Sequence, residues 1–117
     1  MLSTLLKSKL HHLRVTAVEP EYAGSLLIDE DLLDAAGMRN HEKILVANLA
    51  NGERLETYAI AGERGSRVAC LNGAAAYKGE VGDRLIVMTW CQLTDAELDG
   101  HKPTILRLDA RNNPIAG

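Results

Sequence analysis

The 117 residues make one domain, long enough for a core of its own and too short for two. Apolar residues are 46% of the chain but aromatics only 3%, with no Phe, so the core has to come from Val, Ile, Leu and Ala, which favours strands in a compact barrel. The net charge of −3, from 13 basic and 16 acidic residues in mixed order, supplies no broad positive field for nucleic acid or an anionic membrane, so any anion site has to be local.

Met1 to Lys7 holds no apolar run long enough for a signal peptide, and nothing later approaches a membrane span, which predicts a cytoplasmic protein. Leu10 to Val18 alternates as a strand, with Leu10, His12 and Arg14 on one side and His11, Leu13, Val15 and Ala17 on the other, and Glu19-Pro20 ends it. Neighbours on a strand face opposite sides, so His11 and His12 are not expected to share a metal. Ser25 to Ile28 is a second extended piece. Asp29 caps a short helix, Glu30 to Ala36, with an acidic first turn and Gly37 just past its end; residues 38–42 form a polar loop. Lys43 to Leu49 and Glu53 to Ala61 are strands joined at Asn51-Gly52, a pair that accepts the positive φ angles of a tight hairpin. Glu63 to Arg67 reads as a charged turn, Arg67 to Leu71 as a strand, and Gly73 to Tyr77 as an Ala-rich helical turn. Val81-Gly82-Asp83 turns the chain into the apolar strand Arg84 to Gln92. Thr94 and Glu97 have the spacing of a capping box, Thr104 to Leu108 is a last strand, and Asn112 to Gly117 is a loose tail. Cys70 and Cys91 lack the number and spacing of a zinc site or disulfide framework and read as buried thiols. Many short strands with little helix predict a closed barrel, because closure removes exposed strand edges.

Chemistry concentrates at Tyr22-Ala23-Gly24-Ser25. A serine directly after glycine can attack the preceding carbonyl, and glycine can hold the strained or positive-φ geometry that brings the hydroxyl to it. Gly-Ser is also a common turn pair, and Gly65-Ser66 is a second example in this chain.

Taken in order, eight stretches resemble the bacterial aspartate 1-decarboxylases over residues 1 to 92. They are Lys9-Leu10-His11, Tyr22 with Gly24-Ser25, Ile28-Asp29 leading to Asp34-Ala35-Ala36-Gly37, and Asn51-Gly52, followed by Thr57-Tyr58-Ala59-Ile60, Glu63-Arg64-Gly65-Ser66-Arg67, Asn72-Gly73-Ala74-Ala75-Ala76 and Val81-Gly82-Asp83. The resemblance implies a double-psi β-barrel with short helices, a homotetramer with active sites between subunits, and a place in pantothenate biosynthesis. It implies a pyruvoyl group in place of pyridoxal phosphate, and no metal. Ser25 Oγ attacks the Gly24 carbonyl in an N-to-O acyl shift, and β-elimination then breaks the chain. The residue left at position 25 hydrolyses to a pyruvoyl group capping the fragment 25–117 (the α chain), while 1–24 (the β chain) stays bound. L-aspartate then forms a Schiff base with the pyruvoyl carbon, whose electron sink permits loss of CO₂ and release of β-alanine.

The same resemblance distributes roles. Tyr58 donates a proton to the carbanion. Arg54 binds the substrate carboxylate and Lys9 is a second contact to it; alone, each reads as ordinary surface or strand charge. Thr57 assists self-cleavage, and His11 and Tyr22 support processing, although a lone strand histidine is more often structural. Asn72, Gly73, Ala74 and Ala75 offer backbone N–H groups and a small-residue surface to a carboxylate or developing oxyanion, or simply pack. The sequence departs from the family pattern at His12, where Arg or Lys is expected, and Tyr77, where His or Arg is expected. It leaves open whether maturation needs a partner. Two other readings stand beside this one: a pyruvoyl decarboxylase for a homologue such as glutamate, one methylene longer, and an uncleaved β-barrel binding module.

Overall fold

A computed structural model describes residues 1–116. The strands are β1 (Leu2–Arg14), β2 (Ala17–Glu19), β3 (Leu26–Asp29), β4 (Lys43–Asn48), β5 (Arg54–Gly62), β6 (Ala69–Asn72), β7 (Arg84–Thr94), β8 (Thr104–Leu108) and β9 (Pro114–Ile115). Two short α-helices, α1 (Glu30–Ala36) and α2 (Asp95–Leu98), and a 3₁₀ helix over Gly73–Lys78 complete the chain. The protein is thus mainly β. Among the described residues no helix is long and apolar enough to cross a membrane.

The nine strands form one sheet in the order β2-β6-β3-β5-β4-β7-β1-β8-β9. Pairing is mixed: β1 with β8, β2 with β6 and β3 with β5 run parallel, the other pairs antiparallel. The expected closed barrel is corrected here, because among the described residues no ladder joins β2 to β9 and the sheet is open. Its two edges are too short to close it: β2 has three residues, and β9 has two, one of them Pro114, which has no N–H to donate. Backbone contacts continue the β1–β7 and β2–β6 pairings past the ends of those strands. Val15 N donates to Asp83 O (2.9 Å) and Thr16 N to Ala69 O (2.8 Å).

Asn112 bridges the opening, joining the loop between β8 and β9 to Arg67 ahead of β6, and it overturns the expected loose tail. Its Oδ1 accepts Arg14 N (2.7 Å), and its Nδ2 donates to Arg14 O and Arg67 O (both 3.0 Å). At 1% exposure and φ 62, it occupies the left-handed region that asparagine tolerates better than most side chains. The expectation for Gly117 lies outside the described residues.

Strand β1 begins eight residues earlier than the alternation predicted, and the alternation itself fails at its end. Leu10 and Leu13 are both fully buried, three apart, because the register with β7 slips between His11 and Leu13 and His12 sits at φ 69. This bulge inserts one residue and puts the next side chain on the wrong face. The expected opposition of His11 and His12 is therefore incorrect: their rings stack, with centroids 3.9 Å apart.

The core lies between the inner face of the sheet and α1. It is built from Leu10, Leu26, Ile28, Ile44, Val46 and Val87, with Leu32 and Leu33 from the helix. Each such side chain contributes about 1.5–3 kcal/mol by leaving water. Helix α1 keeps its predicted bounds, because Asp29 Oδ1 accepts Asp31 N (2.8 Å) at the start and left-handed Gly37 (φ 75) ends it. The β4–β5 connection differs from a two-residue hairpin turn. Only Gly52 has positive φ, and Asn48 N bonds Glu53 O (2.8 Å) across a longer loop, because buried Asn48 is also tied to Lys78 O, Asp83 Oδ2 and Ala50 N. The Thr94–Glu97 capping box forms as expected.

Candidate active site

Strand β3 starts at Leu26, not Ser25, and the reason is backbone geometry. Gly24 and Ser25 stand consecutively at φ 59 and φ 85, so the serine is not extended as the sequence suggested. A left-handed non-glycine residue of this kind costs on the order of 1–3 kcal/mol and persists only where its surroundings hold it. Three contacts hold it here. Gly24 N donates to Tyr22 O (2.8 Å), Ser25 O accepts Asn72 N (2.9 Å), and Tyr58 Oη reaches Ala23 O at 3.4 Å. Ser25 is only 3% exposed, in contrast to Ser66 in the rival Gly65-Ser66 pair, which is exposed in a turn with its Oγ bonded to Glu63 O (2.6 Å).

Gly73 makes this approach possible. A Cβ there would lie 2.6 Å from Gly24 N, 2.7 Å from Gly24 Cα and 2.9 Å from Tyr22 O, and the residue sits at φ 61. Only glycine fits both demands. The start of the 3₁₀ helix thus packs directly against the backbone N and Cα of Gly24.

A cavity of about 220 Å³ opens beside the Gly24–Ser25 bond, lined by Gly24, Ser25, Leu55, Glu56, Thr57, Asn72, Ala74, Ala75 and Lys78. It is smaller than the roughly 300–1,000 Å³ usual for drug-sized ligands, which suits a small substrate. Of the residues singled out from sequence, the structure brings Gly24, Ser25, Thr57, Asn72, Ala74 and Ala75 onto the wall of this cavity, with Gly73 packed against Gly24 and Tyr58 Oη 3.4 Å from Ala23 O. Thr57 points inward from β5, while Tyr58, 39% exposed, points out on the alternate face and packs edge-on to His41. Tyr22 contributes its backbone carbonyl, its ring being exposed.

Arg54, Lys9 and His11 are not brought there within one chain. Arg54 is exposed on the face of β5 shared with Tyr58, four residues and about 13 Å along the strand. Lys9 and His11 lie on β1, which β4 and β7 separate from β5. His11 and His12 both stay below the ordinary histidine pKa. Burial is the main cause for each. His11 then feels His12 and Lys9, whereas His12 feels Arg84 and Arg14.

Sequence reasoning missed Leu55, Glu56 and Lys78 on the cavity wall, and Cys70 behind it. The Lys78 ammonium pairs with Glu53 (2.8 Å). Cys70 is buried as expected, whereas Cys91 is only half-buried, because β7 extends to Thr94 and its end leaves the core. The alternation of β5 could have placed Leu55 with Thr57; nothing local marked Cys70.

The family model described as aspartate decarboxylase matches residues 1–115. A protein named Aspartate 1-decarboxylase from Exiguobacterium sibiricum is 51% identical over 113 residues, covering 97% of this chain and 89% of its own. Proteins of the same name from Bacillus licheniformis (51% over 112 residues, 96% and 88%) and Ruminiclostridium cellulolyticum (50% over 109 residues, 93% and 85%) are similar to the same extent. With a family model spanning nearly every residue and half-identical relatives along the same length, the chain belongs to the aspartate decarboxylase family.

Proposed function

We propose that this chain decarboxylates L-aspartate to β-alanine and CO₂, using a pyruvoyl group made from Ser25 once the Gly24–Ser25 bond is cut. The observation that carries the reading is the buried, left-handed Gly24–Ser25 turn pressed under Gly73, in a chain half identical to proteins named for this reaction.

Maturation is chemistry of the chain's own Gly24–Ser25 linkage. Ser25 Oγ adds to the Gly24 carbonyl carbon, the C–N bond breaks, and the freed amine keeps a proton, leaving an ester. Loss of the Ser25 α-proton expels the Gly24 carboxylate, and water then releases ammonia and leaves the ketone at residue 25. Thr57, on the same cavity wall, helps the first step by contacting the Gly24 carbonyl. Strain at Ser25 raises the ground state and so lowers what the attack has to climb.

Residue 25 fits the group it is to carry: it is buried, it opens on a small cavity, and its own carbonyl oxygen already accepts Asn72 N–H. When present, the pyruvoyl group supplies a ketone that takes up the substrate's amine and accepts the electron pair left by CO₂. The Asn72 N–H stabilises negative charge on the neighbouring carbonyl oxygen. Tyr58 Oη, 3.4 Å from Ala23 O, delivers the proton to the substrate's α-carbon without bringing a permanent charge. Arg54 grips the substrate carboxylate with paired donors, and Lys9 adds a second contact. Because Arg54, Lys9 and His11 lie away from Ser25 in one chain, the reading includes a homotetramer whose sites form between subunits. It also includes a cytoplasmic role supplying β-alanine for pantothenate.

Intact-mass spectrometry under denaturing conditions tests the reading. The wild-type chain is expected as two pieces, 1–24 and a carbonyl-reactive 25–117, and Ser25→Ala as one inactive, folded piece. A wild-type chain that stays whole after mild warming overturns it, and faster turnover of glutamate than aspartate overturns the substrate.

A further inference from the structure

Strand β6 carries two buried residues two positions apart, Cys70 (4% exposed) and Asn72 (7% exposed), of which Asn72 lines the cavity. The Cys70 thiol donates to Asn72 Oδ1 at 3.1 Å. Asn72 therefore holds both sides of the site. Its backbone N–H binds Ser25 O, its side-chain oxygen accepts the Cys70 thiol, and the residue lines the cavity together with Gly24 and Ser25.

A carboxamide has two ends of nearly equal size and opposite polarity, so what fixes its rotation decides which end meets the cavity. An S–H group is a donor first and only a weak acceptor, so it selects the amide oxygen. Burial, with the Glu19 carboxylate adding to it, pushes the Cys70 pKa up and keeps the thiol protonated as that donor. Neither fact suits a reactive cysteine, which needs exposure and a lowered pKa. With the oxygen engaged behind it, the amide's NH₂ is the end left to donate. Were the amide reversed, its oxygen would face the negative charge that forms on the Gly24 carbonyl oxygen when Ser25 attacks.

We propose that Cys70 is a positioning residue: its thiol holds the Asn72 carboxamide so that the NH₂ donates to the oxyanion formed at Gly24 during self-cleavage. This rests on the maturation chemistry proposed above. One donor to such an oxyanion is worth about 10²–10³ in rate, and a thiol that merely biases its rotation controls a part of that, about five- to tenfold.

The test uses the full chain with Cys70→Ser, which keeps a donor, and Cys70→Val, which fills the space without one. The rate at which the 25–117 fragment appears is followed by mass spectrometry, with Tm measured on each variant. Cys70→Ser is expected within about twofold of wild type and Cys70→Val about five- to tenfold slower. Equal cleavage rates in Val and Ser variants, whatever their Tm, overturn the proposal, because a purely structural thiol moves Tm alone.

A second arm separates this from failure of the maturation reading. In the uncleavable Ser25→Ala chain, NMR should show the Asn72 side-chain NH₂ close to the protons of residues 24 and 25, and Cys70→Val should abolish that proximity while Cys70→Ser keeps it. If wild type never cleaves, the maturation reading fails by itself, and loss or persistence of that NMR contact in Cys70→Val decides the role of Cys70.

Discussion

Replacing Asp29 by Asn should unfold this protein more readily than any other single isosteric change near the site. The carboxylate is fully buried, and its two oxygens accept four donors. Oδ1 takes Asp31 N (2.8 Å) and Gly65 N (3.1 Å), and Oδ2 takes Arg67 N (2.7 Å) and the Arg67 guanidinium (3.3 Å). Thus one side chain caps α1 and pins the loop that leads into β6. Asparagine keeps one oxygen and turns an NH₂ toward two donors, so two charge-assisted bonds are lost and the opposing donors are left facing N–H. The cost is about 3–5 kcal/mol, a large part of the roughly 5–15 kcal/mol that holds a domain together. With a urea slope of about 2 kcal/mol per molar, the unfolding midpoint drops by roughly 2 M.

The pH dependence gives an independent check on the same carboxylate. Burial pushes the Asp29 pKa up, but the N–H groups of Arg67, Asp31 and Gly65 together with the Arg67 charge outweigh it, and the net direction is down. A depressed folded pKa means that the stabilisation is present above the unfolded-state value and is lost as pH falls through the folded one. The gap between wild type and Asp29→Asn should therefore be constant near neutrality and close in acid. Urea midpoints measured from neutral pH down through the carboxylate range decide it. A neutral-pH loss under about 1 kcal/mol, or a gap that does not narrow in acid, would refute the reasoning.

Gly73→Ala should abolish processing, since its Cβ meets Gly24 backbone at 2.6 Å, whereas Gly52→Ala, also at positive φ (75) but with no neighbour within 4 Å, should cost only about 1–2 kcal/mol and still cleave; comparable cleavage of both on a denaturing gel contradicts the close-approach argument. Tyr58→Phe should cleave normally and lose about 10²–10⁴ in kcat, measured as CO₂ release, and full turnover removes Tyr58 as the proton donor. Asn112→Ala removes three hydrogen bonds across the open edge of the sheet and should lower stability by about 2–3 kcal/mol in thermal melts, with a change below about 0.5 kcal/mol showing that the tail is not held there.

Local chemistry determined what the sequence alone could show. The α1 cap at Asp29, its stop at Gly37 and the Thr94–Glu97 box depend on residues within a few positions of one another, so their bounds were readable. Family membership was readable too, because short motifs in fixed order survive in the chain itself. Only the tertiary structure decided the rest. The bulge that puts His12 beside His11 arises from β7 pairing on one side and β8 on the other, and the tail is ordered by Asn112 binding backbone about 98 residues away at Arg14. Likewise Ser25 is turned out of its strand by Asn72 and Gly73, nearly fifty residues later in the chain. Side-chain alternation and turn propensity carry no term for such contacts, since the free energy that holds a left-handed serine comes from groups that meet only when the sheet has formed.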